Sequence, residues 1–246
     1  MGAGNGEAEV GVTFMRAIVS KERCDISKVL EVTWKSVEEE LPRTPVCHWN
    51  ESVFRFFFVR ALLGLYGDDF ACTIEWNRID LLIQRNKKAK EADNEADNEA
   101  DFVEFKFHVQ NSHRTLAGTR THLKGGPGKK NFTEFRDCVE KLSYIDRNKW
   151  FDDEPSQSTK PRIARCFLIL AYAQPSDTNV TKSKSYDHWY EKKAITLRLK
   201  RNNRKVVLKP TLPLLENLPC KDSDENSQGL ELKCKLFEIQ KVRRRS

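Results

Sequence analysis

Two carboxylates and an ammonium stand in short apolar surroundings: Asp80 within Arg78-Ile79-Asp80-Leu81-Leu82-Ile83, and Glu104 with Lys106 within Phe102-Val103-Glu104-Phe105-Lys106-Phe107. Both runs are rich in leucine, isoleucine and aromatic residues and have strand length, so both are expected to be strands. Alternation along a strand puts Glu104 and Lys106 on one face, with Val103, Phe105 and Phe107 on the other. In the first run it puts Ile79, Leu81 and Ile83 together and Asp80 opposite. If the strands are neighbours, Asp80, Glu104 and Lys106 meet on one surface. Paired carboxylates repel unless one is protonated or a cation lies between them. All-oxygen ligation suits Mg²⁺, with Mn²⁺ able to substitute. A lysine two residues on can orient a water or stabilise charge on a phosphoryl oxygen.

The order of apolar strand, Asp, second strand and Glu-x-Lys resembles the PD-(D/E)XK, or restriction-endonuclease-like, nuclease superfamily. Ile79 stands where the motif's proline would be. Glu-x-Lys also occurs at Glu191/Lys193 and Glu231/Lys233. The first lies in a polar stretch, Asp187-His188-Trp189-Tyr190; the second lacks an upstream strand ending in Asp. The resemblance implies an α/β fold, a restriction-endonuclease-like core with a central mixed β-sheet flanked by helices. It assigns Asp80, Glu104 and Lys106 to catalysis. It assigns the metal to Asp80, Glu104, the Phe105 carbonyl and Glu51, an acid contributed by the helix before the strands. The implied activity is Mg²⁺-dependent hydrolysis of nucleic-acid phosphodiester bonds, by a DNA endonuclease in preference to an RNA-directed enzyme. The alternative is a catalytically inactive nucleic-acid-binding or scaffolding protein on the same fold. A homodimer or larger nuclease assembly is compatible with the pattern.

Composition fits this reading. The 246 residues carry a net charge of +7, which favours an acidic partner over a lipid one. Seven scattered cysteines without a Cys-x-x-Cys suggest a reduced, intracellular, cytoplasmic protein (nuclear if eukaryotic). The longest apolar run, Cys166 to Ala173, is too short for a bilayer, so no membrane partner is expected.

The elements that must position the site follow in order. Residues 1–49 read as an N-terminal helical extension, with helical spacing over Val10 to Val19 and Ser27 to Glu40. Asn50 caps a helix from Glu51 to about Leu65 whose stripe includes Val53, Phe54, Phe57, Phe58, Ala61 and Leu62. Glu51 has a plainer role open to it, pairing with Arg55 or compensating the helix dipole. Ala71 to Trp76 is a strand turning into the Asp80 strand, with Glu75 facing solvent. Residues 85–101, built on a repeated Glu-Ala-Asp-Asn, read as a low-complexity acidic hairpin insertion.

Between Phe105 and Thr133 there is no Asp or Glu, while Arg114, Arg120, Lys124, Lys129 and Lys130 supply cations for a nucleic-acid backbone. His108, His113 and His122 lack zinc-ligand spacing and are expected at the surface or facing substrate. Asn131 with Glu134 suggests a capping box for a helix striped by Phe132, Phe135, Val139, Leu142 and Ile145. Ile163 to Tyr172 is a strand buried on both faces. These elements form one domain whose nuclease core spans 50–175. A basic, β-rich C-terminal extension spans 176–246, with Ser176 to Ser185 as loop, a basic hairpin over Ala194 to Leu208 and a last strand within Gly229 to Val242.

Overall fold

A computed structural model describes residues 23–76, 78–85, 99–110, 113–116, 119–122, 127–145, 163–175, 185–211, 215–221 and 229–240. Helix α1 (Ile26–Glu40) begins at Asp25, whose carboxylate accepts from the Ser27 and Lys28 amides, and the expected Val10 to Val19 helix lies outside the described residues. Helix α2 (Glu51–Tyr66) starts on the Asn50 cap, whose Oδ1 accepts from Val53 N, and ends at Gly67 with φ 56°, a backbone that favours glycine. A hairpin of β1 (Phe70–Trp76) and β2 (Ile79–Arg85) leads to β3 (Glu99–Val109). Then come a small β4–β5 ribbon (His113–Leu116 and Thr119–His122), helix α3 (Lys129–Ser143) and β6 (Ile163–Pro175). The chain closes with α4 (Tyr186–Tyr190), a β7–β8 hairpin (Ile195–Arg198 and Lys205–Leu208), β9 (Leu218–Cys220) and β10 (Leu230–Glu238).

The architecture is α/β: a six-stranded sheet in the order β1-β2-β3-β6-β10-β9, flanked by helices. It is mixed, because β3 and β6 run parallel while the other pairs are antiparallel. Parallel neighbours need a crossover, and α3 lies within it. One face packs on α1 and α2, where Phe54 and Phe58 close on Phe105 at ring distances of 6.2 and 5.4 Å. The other packs on α3, α4 and the β7–β8 hairpin through Phe102, Phe135, Leu168, Tyr172 and Leu197. The segment after residue 176 therefore supplies two of the sheet's strands, and α1 is part of the first core.

Several expectations change. Glu99 to Asp101 belong to β3, and Asp101 is buried in a two-pronged bond with Arg165, at 2.7 Å to Nε and 2.7 Å to Nη2; the acidic insertion is correspondingly shorter. Helix α3 is capped by Gly128 without a side-chain bond, because Asn131 instead reaches His108 Nδ1 (3.2 Å) and the Tyr186 hydroxyl (3.1 Å). His108 is buried, not at the surface, and stacks on Tyr186 and Tyr190 with interplanar angles of 14° and 8°. Its pKa is lowered to about 4, by burial first and by Lys106 second. The stretch around Asp187 is a short helix that buries Tyr186 and Tyr190. Finally, Leu81 and Ile83 pack toward α2, whereas Ile79 joins Leu82 and Phe102 on the α3 side. Alternation fails across Asp80, where β2 has parted from β3 after Leu81↔Val103 and pairs with β1 alone, through Trp76↔Ile79. The hairpin end also carries positive φ at Glu75 (55°) and Arg78 (72°), a backbone that costs about 1–3 kcal/mol per residue.

Candidate active site

Where β2 leaves the ladder, Glu104, Phe105 and Lys106 have no β2 partner. The vacant amide of Phe105 donates to Asp80 Oδ2 at 2.7 Å. Asp80 thus substitutes its side chain for the missing strand, which fixes its carboxylate beside Glu104. A residue's N–H and C=O leave a strand on the same side, so the Phe105 carbonyl is aimed into the same gap. Asp80 Oδ1 lies 3.6 Å from Arg55 Nη1, and Arg55 also bonds Glu75 at 2.9 Å. Glu75 is solvent-exposed, as expected from the sequence.

Glu104 is 4% exposed and points toward α3. Its Oε1 accepts from Lys141 Nζ at 2.6 Å and from the Cys138 thiol at 3.7 Å. Its Oε2 is buried with no hydrogen-bond partner. Such an oxygen ordinarily costs about 1–3 kcal/mol or more when charged. The Glu104 pKa is raised, first by burial and then by the charge of Asp80, while Lys141 and Lys106 pull it down. The charge of Asp80 is therefore among those that Glu104 senses.

Lys106 reaches Glu51 Oε1 at 2.8 Å. Burial opposes its charge, while the hydrogen bond and charge of Glu51 and the charge of Glu104 hold its pKa up. Lys106 is thus an ammonium at neutral pH, able to donate hydrogen bonds but not to take a proton. Glu51, at the start of α2, is engaged with Lys106 and not with Arg55. Burial, followed by Glu104, raises the Cys138 pKa and keeps that residue a thiol.

The residues missed from the sequence are Lys141 and Cys138. Both lie on α3, where Cys138 reads as one more apolar-stripe position and Lys141 as one more surface cation. Lys141 also donates to the Arg78 carbonyl, which ties α3 to the end of the β1–β2 hairpin. Of the cations expected to hold nucleic acid, Lys129 and Lys130 are exposed in the first turn of α3. Lys130 lies 3.9 Å from Glu134. Arg114 and Arg120 are on the β4–β5 ribbon, where Arg114 faces Thr121 and Thr115 faces Arg120 in the register. Lys124 lies outside the described residues.

Among the described residues no three His, Cys, Asp or Glu side chains converge to hold a metal. Two carboxylates, one with an orphaned oxygen, and a backbone carbonyl are present, and these hard oxygens suit Mg²⁺ or Mn²⁺ completed by water. Comparison with family models, curated proteins and solved structures gave no match to this chain. Among the described residues no helix is long and apolar enough to cross a membrane.

Proposed function

We propose that this chain is a metal-dependent nuclease of restriction-endonuclease-like type, hydrolysing phosphodiester bonds in nucleic acid, with DNA as the first substrate to test. The observation that carries this reading is the orphaned Glu104 Oε2, buried beside Asp80 and Lys106 where a strand ladder has opened. The order α2-β1-β2-β3-α3-β6 supports it, being the helix, strands, helix, strand order of that core. A bound Mg²⁺ or Mn²⁺ would supply charge neutralisation at the scissile phosphate and a more acidic water. Asp80, Glu104 and the Phe105 carbonyl would hold it. Asp80 is oriented by the Phe105 amide, and Arg55 supports it from the α2 side. Lys106, charged and steadied by Glu51, orients the attacking water and stabilises negative charge on the phosphoryl oxygens.

One observation favours the rival reading of an inactive nucleic-acid-binding or scaffolding protein. Lys141 with Glu104 and Lys106 with Glu51 already form two ion pairs without any metal. A single assay decides: supercoiled plasmid, linear duplex DNA and RNA are incubated with wild type, Glu104→Gln and Lys106→Met in Mg²⁺, Mn²⁺ or EDTA. The nuclease reading expects metal-dependent cutting by wild type, lost in both variants with binding retained. Absence of cutting by wild type with either metal supports the rival.

A further inference from the structure

The β7–β8 hairpin carries Arg198, Lys200, Arg201, Arg204, Lys205 and Lys209, all exposed, and the sequence from 195 to 215 contains no Asp or Glu. Leu197 and Leu199 anchor it in the core against α3. Its tip is a built turn: Leu199 N donates to Arg204 O at 2.9 Å, Arg204 N donates to Asn202 Oδ1 at 3.0 Å, and Asn203 has φ 54°. Glu140 of α3 accepts from both tip amides, Lys200 N at 2.9 Å and Arg201 N at 2.6 Å. Lys200 pairs with Asp137 at 2.8 Å, and the Arg201 guanidinium lies 5.4 Å from the Tyr144 ring centre.

Asp137 and Tyr144 are the i−4 and i+3 neighbours of Lys141, which puts their Cβ atoms about 5–6 Å from it on the helix surface. The tip is therefore pinned within about one turn of the lysine that enters the Glu104 site. On the outward face of the hairpin, Arg198 and Lys205 are register partners. Like charges directly opposite on one sheet face are destabilising, and among the described residues no carboxylate pairs with either. A pair of this kind, with the acids of α3 used to anchor the tip, fits an external polyanion.

We propose that the outward face of the β7–β8 hairpin, centred on Arg198 and Lys205, clamps the phosphodiester backbone of nucleic acid beside the candidate site. The placement beside the site follows from the pinned tip, which Glu140 and Asp137 hold within one turn of Lys141. Only this placement rests on the nuclease reading; binding itself does not require cleavage.

The test is fluorescence anisotropy of labelled duplex and single-stranded DNA in EDTA across a salt series, with melting followed in parallel. Arg198→Gln/Lys205→Gln is expected to bind roughly tenfold or more weakly at 0.1 M salt and to lose about two from the log–log salt slope. Its Tm stays equal or rises, as the like-charge pair is relieved. Arg198→Lys/Lys205→Arg keeps wild-type binding, and Lys35→Gln/Arg43→Gln on the α1 side, an equal loss of charge, leaves binding unchanged. The clamp is overturned if the first variant binds like wild type, if the α1 control weakens binding equally, or if wild type binds phosphatidylserine vesicles but not DNA. Weakened binding alongside a wild type that never cuts upholds the clamp and removes the nuclease reading. Normal binding in the variant alongside cutting by wild type does the reverse.

Discussion

Replacing Lys141 with methionine keeps the aliphatic stem against α3 and deletes the ammonium that partners Glu104. In the folded protein the Glu104 side chain is 5% exposed and that of Lys141 is 34%. Leaving a buried carboxylate ionised and unpaired costs about 3–5 kcal/mol. Glu104 can escape by taking a proton, which from its ordinary value of 4.5 costs about 4 kcal/mol at pH 7.5 and about 0.7 at pH 5.0. Since Lys141 is a third exposed, water already screens part of the pair, so the expected loss at pH 7.5 falls to about 2–3 kcal/mol. At pH 5.0 it is under about 1 kcal/mol. The folded pKa of Glu104 lies above its unfolded one, so the stability it contributes is complete below the unfolded value and is lost as pH rises through the folded one. Removing Lys141 deletes a group that lowers the folded pKa, which extends that loss to higher pH. Thermal and urea unfolding at pH 5.0, 6.0 and 7.5 measures it, with Lys141→Arg as the control that keeps the charge. A drop of about 4–12 °C in Tm is expected at pH 7.5, shrinking steadily toward pH 5. Equal stability of Lys141→Met and wild type at pH 7.5, or a loss that does not change with pH, would refute the account of Glu104 as a buried carboxylate held by this pair.

Asp80→Asn keeps an oxygen for the Phe105 amide, so stability should change by less than about 1 kcal/mol. Cleavage should fall by about a hundredfold or more; full activity in that variant removes Asp80 from the site. His108 is neutral in the fold with a pKa lowered to about 4, so the unfolded chain takes the proton first and stability falls as pH drops from 6.5 to about 4. The total is about 3 kcal/mol. His108→Phe, which preserves the stack on Tyr186 and Tyr190, should flatten that part of the pH–stability curve, and an unchanged acid limb counts against the assignment. Asp101→Ala leaves the Arg165 guanidinium without its two-pronged carboxylate and should cost about 3 kcal/mol by urea unfolding. A loss below 1 kcal/mol would mean that solvent or the Cys24 carbonyl, already 2.8 Å from Arg165 Nη2, suffices.

Much of the scaffold could be read along the chain because it is encoded locally. The Asn50 cap, the apolar stripe of α2, the uninterrupted run of β6, the stripe of α3 and the basic β7–β8 hairpin each depend on residues within a turn or two of one another. Residue type and spacing also singled out Asp80, Glu104 and Lys106, since charges embedded in strand-forming apolar runs are uncommon.

What the chain could not disclose was lateral. Strict alternation placed Ile79 with Leu81, but beyond Leu81 β2 has parted from β3 and keeps only β1 as its partner, and Ile79 packs on the other face. The pairing of Glu51 with Lys106, fifty-five positions apart, depends on where α2 crosses the sheet, and no local pattern carries that distance. Lys141 looked like a solvated cation and Asn131 like a cap until the packing of α3 aimed them at Glu104 and His108. The sequence by itself determined which residues carry ionisable groups and where the long helices and the central strands lie, because propensity and periodicity are short-range. Only the tertiary structure decided which charges face each other and which oxygen is left without a partner, because burial and Coulomb interactions depend on separation in space and not along the chain.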